Sequence, residues 1–335
     1  MKLFIAILFI ILIPITQVLP CTTFVLKNKE TLLFGRNLDW VSDNGLVVIN
    51  KQNTKKTALV FPPEIPATWT SKYGSITFNQ FGKEFPFGGI NEKGLVIEIM
   101  RSEAEYPTPD KRPALNELQW IQYQLDNSAS LEDVIKNDKY VRILAVKQEL
   151  HFLVCDKNGN SAVLEFRNGK LNVFKGEDLP LPILANSYYP NDLEKYNENI
   201  SCRFTTVAKS LNTYKSSQGN PVDYSFKILN DVALDGSWSI VYDIKNMEIH
   251  FKTSSYKTIR KIKVNDFNFD CTEPSQLYDL KSEDKAYVNS LFNNYSIEMN
   301  KRKLDDAIQT NRITLPDYVI SQFYNLSESY ECEEK

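Results

Sequence analysis

Histidine is nearly absent from this chain: His151 and His250 are the two it has among 335 residues. Both stand in apolar, strand-like runs, where a hydrogen-bonded core or surface role is the simpler reading. A Cys–His or Ser–His system needs an imidazole beside its nucleophile. A histidine-rich metal site needs several. The sequence supplies neither, and no CxxC pair offers zinc-ribbon spacing. No long basic run occurs and the formal net charge is -3, which argues against a nucleic-acid partner. Past residue 20, no apolar run is long enough to span a bilayer. No internal repeat or long linker divides the chain.

What is present is ordinary for a globular protein: 42% hydrophobic and 24% charged residues. Aromatics are plentiful, with Tyr 17 and Phe 19, and Gly is scarce at 12. That content suits an all-β or α+β core and an apolar pocket.

The first twenty residues differ from the rest. Lys2 gives a positive start and Leu3 to Ile13 an unbroken apolar run, of secretory rather than membrane-spanning length. We therefore exclude 1–20 from the fold as a removed segment, take 21–335 as one domain, and expect an extracytoplasmic protein. The junction Gln17-Val18-Leu19-Pro20-Cys21 lacks the small residues that a signal peptidase wants. Either cleavage falls slightly upstream and leaves a short propeptide that the protein removes itself, or the mature start lies elsewhere.

Along the mature chain, Thr23 to Leu26 and Thr31 to Gly35 read as a hairpin around a polar turn. Leu46 to Ile49 and Ala58 to Phe61 read as strands. Gly88 to Leu95 reads as a turn leading into the strand Val96 to Met100, with Gly94 at a positive φ or tight bend. Leu115 to Leu125 reads as a helix, and Ser130-Leu131-Glu132-Asp133 as a capping box opening another. Val141 to Val146, Leu150 to Cys155 and Ala162 to Phe166 are strand-like, with Asp156 to Asn160 a turn. Residues 201–215 and 221–234 read as helices, and Ser239 to Tyr242 with Glu248 to Phe251 as a hairpin. From Glu283 the chain is charged, helical and then loose. Strands, helices and strands again indicate α+β with mostly antiparallel sheets.

Five cysteines remain: Cys21, Cys155, Cys202, Cys271 and Cys332. An odd count leaves a free thiol in a monomer, and the pairing of the other four stays open. Cys21 is the natural free one. As the first residue of a mature chain it would carry its own base, because a free α-amino group has a pKa of about 7.7–8.0. That amine could take the thiol proton and later give it to a leaving amine. With Pro20 still attached, the nitrogen is an amide and no base.

Cys21-Thr22-Thr23-Phe24 followed by Phe34-Gly35-Arg36-Asn37-Leu38-Asp39-Trp40 resembles the start of the choloylglycine hydrolase family. This family of N-terminal nucleophile hydrolases includes penicillin V acylases and bile salt hydrolases. Gly89-Ile90-Asn91-Glu92-Lys93-Gly94-Leu95, Leu184-Ala185-Asn186-Ser187 and Ser201-Cys202-Arg203-Phe204 follow in the family's order. The resemblance spans roughly residues 21–250. It implies a four-layer αββα sandwich, two antiparallel sheets between helical layers, and hydrolysis of a linear amide through a Cys21 thioester without metal or organic cofactor.

The resemblance also implies roles. Arg36 would favour the Cys21 thiolate. Asp39 would orient the α-amino group, Asn186 would donate to the oxyanion, and Arg203 would complete the polar cluster. Taken singly, each has an ordinary structural reading: a hairpin-end charge, a turn residue, a turn before Tyr188, a helix-surface charge. The second oxyanion donor would be the backbone N–H of Arg101, where penicillin acylases carry Tyr and bile salt hydrolases Asn. A charge there suits an anionic head group or faces solvent. Trp40, Trp69 and Tyr106 are candidate pocket walls, although aromatics are more often core. The expected partner is a small N-acyl amide, such as penicillin V, a conjugated bile acid or an N-acyl homoserine lactone. A homotetramer is the assembly the resemblance suggests.

Three other readings compete. Lipid attachment to Cys21 would make a non-enzymatic lipoprotein, although Pro20 stands where a small residue is expected and a strand follows at once. A non-catalytic domain could retain the fold, against which stand the retained Arg36, Asp39, Asn186 and Arg203. An acid-ceramidase-like lipid amidase would share the mechanism but follow a longer propeptide.

Overall fold

β1 (Thr22–Lys27) and β2 (Leu32–Leu38) form the expected hairpin. The Asn28 side chain turns it, accepting from the N–H groups of Glu30 and Thr31 at 2.9 and 2.8 Å. Register pairs Thr22 with Asn37 and Thr23 with Arg36. Cys21, one residue before the strand, therefore lies beside the Leu38–Asp39 end of β2. The computed structural model describes residues 21–144, 149–215, 219–234, 238–282 and 285–333, so the expected leader lies outside the described residues.

The chain continues through β3 (Leu46–Asn50), β4 (Thr54–Thr57), β5 (Thr68–Thr70), β6 (Ser75–Asn79), β7 (Pro86–Asn91), β8 (Val96–Arg101) and β9 (Ala114–Asn116). Two helices follow, α1 (Glu117–Asn127) and α2 (Leu131–Asn137). Next come β10 (Arg142–Leu144), β11 (Leu150–Cys155), β12 (Ser161–Arg167), β13 (Lys170–Lys175) and β14 (Ile183–Leu184). Then α3 (Tyr189–Asn197), α4 (Arg203–Thr213) and α5 (Pro221–Val232) lead to β15 (Trp238–Asp243), β16 (Glu248–Thr253), β17 (Arg260–Lys263), β18 (Gln276–Asp279) and β19 (Asn293–Asn294). The chain closes with α6 (Ile297–Thr310), α7 (Asp317–Leu326) and β20 (Glu331–Cys332).

Two antiparallel sheets dominate. One has six strands in the order β14-β1-β2-β15-β16-β17, the other nine in the order β13-β12-β11-β8-β7-β6-β3-β18-β19. α1 packs on β7 and β8, while α4 and α5 pack on β1, β2 and β15. The layers are therefore helix, sheet, sheet, helix, the αββα sandwich expected. Between the sheets Phe78 meets Phe251, Tyr242 and Trp238 at centroid distances of 5.5, 6.4 and 6.2 Å. Each such ring, taken out of water, contributes about 2–3 kcal/mol.

Several local expectations change. Ala58 to Phe61 is not a strand; Thr54–Thr57 just before it pairs with β5 and β20 instead. Gly88 and Gly89 belong to β7, and the turn is confined to 92–94, where Gly94 has φ +78°. Gly88 is in the strand because Glu98 lies opposite it in register, and a Cβ there would come 2.1 Å from the Glu98 carboxylate. Of the strand expected over Val141 to Val146, Arg142–Leu144 forms, and 145–148 lie outside the described residues. The end of the chain is not loose. Cys271 and Cys332 form a disulfide, and β20 pairs with β4. Cys21, Cys155 and Cys202 are free thiols. Among the described residues, no helix is long and apolar enough to cross a membrane.

Candidate active site

Cys21 is 4% exposed, and its thiol donates to the backbone carbonyl of Asp39 at 3.9 Å. Burial raises the thiol pKa; the Arg36 and Arg203 charges and the contact with the Asp39 backbone pull the other way, while the Asp39 charge adds to the rise. Arg36 therefore acts in the expected sense, but desolvation outweighs it.

Arg36 extends from β2 toward the second sheet. Its Nη2 donates to the Ile99 carbonyl at 3.1 Å, and its Nε lies 2.5 Å from a carboxylate oxygen of Glu98. The other oxygen of Glu98 accepts from the Tyr242 hydroxyl at 2.5 Å. Burial drives the Glu98 pKa up to about 7, against the pull of Arg36 and the Tyr242 hydroxyl. Sequence reasoning missed Glu98. Its signal was a lone carboxylate inside Val96-Ile97-Glu98-Ile99-Met100, a run otherwise apolar.

Asp39 is buried. Its carboxylate accepts from the Leu234 N–H at 2.9 Å and pairs with Arg203, the first residue of α4. That helix is capped by the Cys202 sulfur, which accepts from the Thr205 N–H at 3.5 Å. The cap aligns the start of α4, from which Arg203 reaches Asp39.

The edge of β8 supplies the third part. β7 pairs with β8 from Gly88 to Ile90, opposite Glu98 to Val96. On the other side, the Ser102 N–H donates to the Glu149 carbonyl at 3.1 Å, and Arg101 stands opposite Leu150. Antiparallel pairs alternate between bonded and unbonded, so the backbone of Arg101 points away from β11. Its carbonyl accepts from Asn186 Nδ2 at 2.7 Å. Its N–H points to the same side, as the backbone groups of one strand residue do.

Asn186 is held from behind. His151 Nε2 lies 2.7 Å from the Ala185 carbonyl, and its Nδ1 lies 2.8 Å from Glu165, which also accepts from the Tyr189 N–H at 3.1 Å. His151 is thus the hydrogen-bonded core residue expected, and its partner is the residue before Asn186. β11 and β12 are adjacent antiparallel strands, which is why these residues, 14 apart in sequence, meet.

Cys21, Arg36, Trp40 and Arg101 share the wall of a cavity of about 250 Å³, otherwise lined mainly by Leu, Ile and Phe side chains. Arg101 is exposed at its rim. Tyr106 does not line the cavity, a correction to the sequence expectation. Its hydroxyl accepts from the Leu150 N–H at 2.9 Å and its ring packs on Phe166. Trp69 is likewise structural, donating from Nε1 to Asp126 at 2.8 Å. Asn186 does not line this cavity; it lines a separate polar recess of about 560 Å³ with Ser102, Arg167, Asn172 and Asn191.

The αββα fold is shared with solved structures of a penicillin V acylase and a conjugated bile acid hydrolase. The chain belongs to the choloylglycine hydrolase family of linear amide C–N hydrolases, whose family model matches residues 21–221. A penicillin V acylase of Pectobacterium atrosepticum is 30% identical over 181 residues, 45% of this chain and 46% of its own. A bile salt hydrolase/transferase of Clostridium perfringens is 27% identical over 203 residues, 56% of this chain and 60% of its own. The chain thus spans about half the length of the curated relatives it matches. Among solved structures, penicillin V acylase from Agrobacterium tumefaciens superimposes with a TM-score of 0.69 at 22% identity, covering 82% of this chain and 98% of that one. A mutant conjugated bile acid hydrolase from Clostridium perfringens gives 0.65 at 20% identity, covering 79% and 98%.

Proposed function

We propose that the protein is an exported amidase that cleaves the linear amide of an N-acyl small molecule, with Cys21 as N-terminal nucleophile. The reading rests on one observation: the Cys21 thiol, Arg36 and Arg101 lie on the wall of one apolar cavity, with Asn186 bonded to the Arg101 backbone.

In this reading, removal of the leader frees the Cys21 α-amino group. The amine accepts the thiol proton, and the sulfur attacks the amide carbon. The C=O electrons move to oxygen, which Asn186 Nδ2 and the Arg101 N–H receive; a carboxamide nitrogen has two hydrogens, and the bond to Arg101 uses one. The C–N bond breaks as the amine returns its proton to the leaving nitrogen, leaving a Cys21 thioester. Water, deprotonated by the same amine, releases the carboxylic acid and restores the thiol. Asp39, fixed by Arg203 and Leu234, orients the amine. Arg36 offsets part of the desolvation that opposes the thiolate.

The apolar cavity suits an acyl group, and the polar recess that Asn186 lines suits the amine part. Burial of Cys21 counts against a lipid anchor on its thiol. The test is N-terminal sequencing of the active protein together with Cys21→Ala. We expect Cys21 as the first residue with a free amine, and a folded but inactive variant. A different or blocked first residue in active enzyme, or full amidase activity in the alanine variant, defeats the reading.

A further inference from the structure

The far wall of the Cys21 cavity comes from a part of the chain beyond the family match, which ends at residue 221. α6, the link after it and α7 contribute Leu304, Ile308, Ile313, Leu315, Val319 and Phe323 to the lining. This segment is fastened at both ends. Lys303 Nζ donates to Asn44 at 2.6 Å and to Asp279 at 2.7 Å, and Asn300 accepts from the Lys83 N–H at 2.7 Å. Trp40, itself on the cavity wall, donates from Nε1 to Asn311 at 2.6 Å. Beyond α7, β20 pairs with β4 and Cys332 is bonded to Cys271. Phe323 closes on Phe85, ring centroids 4.7 Å apart. The helical pair is therefore a fixed roof.

We infer that this roof sets which acyl group the enzyme accepts, an inference that rests on the amidase reading above. The side chains that the roof turns to the cavity are all apolar, so the part of the substrate they meet is hydrocarbon. The acyl class is a straight chain, or an aryl ring on a short tether. Phe323 and Ile308 are the specificity-determining residues: Phe323 at the contact with Phe85, and Ile308 on the buried side of α6.

The experiment measures kcat/KM for N-acylglycines from butanoyl to hexadecanoyl, and for a steroid-acyl glycine, on wild type, Phe323→Ala and Ile308→Phe. Phe323→Leu is included in case the alanine variant does not fold. The wild type is expected to show a single chain-length optimum, with kcat/KM falling several-fold to roughly tenfold for each methylene added beyond it. Phe323→Ala, and Phe323→Leu to a lesser degree, shift the optimum to longer chains. Ile308→Phe shifts it to shorter ones. Thermal stabilisation of Cys21→Ala by the corresponding free carboxylic acids reads the cavity without turnover and is expected to show the same length optimum. A rate change equal across all chain lengths, or a wild-type preference for the steroid substrate, overturns the inference while leaving the amidase reading intact. Loss of turnover with every amide, while the carboxylic acids still show a length optimum, defeats the amidase reading and leaves the roof as a measure of ligand length.

Discussion

The Glu98 carboxylate sits 2.5 Å from the Arg36 guanidinium, with both side chains 1% exposed. A charge pair this deep holds Arg36 toward the Ile99 carbonyl and the cavity. Removing one partner of such a pair leaves the other buried and uncompensated, which costs about 3–5 kcal/mol.

Glu98→Gln therefore gives a pH-dependent result with a definite sign. Burial raises the folded pKa of Glu98 from 4.5 to about 7. The folded state then holds a proton that the unfolded state has lost, and stability falls as pH rises through that window and levels off above about 7. The total is about 3 kcal/mol. Glutamine removes this slope. Denaturation of both proteins from about pH 4.5 to about pH 8 should show wild type gaining on the variant as pH falls. A constant difference, or the opposite slope, refutes the assignment of a raised pKa.

Asn186→Ala tests the oxyanion reading. Loss of one such donor lowers kcat roughly 10²- to 10³-fold with little change in KM. Alkylation of Cys21 by iodoacetamide should proceed as in wild type, because Asn186 bonds to Arg101 and not to the sulfur. An unchanged kcat removes Asn186 from the mechanism.

His151→Phe separates a positioning role from a basic one. His151 is 1% exposed and bonds to the Ala185 carbonyl and to Glu165. Loss of the ring leaves buried acceptors unpaired, at about 1–3 kcal/mol of stability, and loosens the residue before Asn186. The expectation is a lower kcat, a lower Tm and unaltered Cys21 alkylation across pH. Should the alkylation profile lose an ionisation, His151 is the base and the α-amine is not.

Cys332→Ser tests the staple on the roof. The disulfide joins positions 61 residues apart, and losing a native bridge of this kind costs about 2–5 kcal/mol. Limited proteolysis should cut the variant within 297–333 under conditions where the oxidised wild type resists. Equal resistance shows that the hydrogen bonds from Asn300, Lys303 and Asn311 hold the segment without the bridge.

How much of this was legible beforehand depends on how local each signal is. The β1–β2 hairpin, the Ser130 cap of α2 and helices α4 and α5 were readable, because alternation and capping act over a few residues. The Ser130 box forms as read, with Asp133 closing it. β7 was read as part of a turn because Gly88 and Gly89 look like turn residues; they serve a sheet, where Gly88 vacates space for Glu98 across the strand pair. Tyr106 and Trp69 resembled pocket walls because an aromatic near a site in sequence cannot be told from one that packs behind it.

Sequence alone determined that a cysteine stands directly after Pro20, and that histidine is scarce. Those are properties of composition and of one covalent neighbour. Folding decided which charges stand around the thiol. Glu98 meets Arg36 because two sheets face each other, and His151 meets the residue before Asn186 because β11 and β14 are brought close. The last forty residues became the cavity roof through contacts with Trp40, Lys83 and Phe85. Such pairings join positions hundreds of residues apart in places, and no periodicity within either segment encodes its partner.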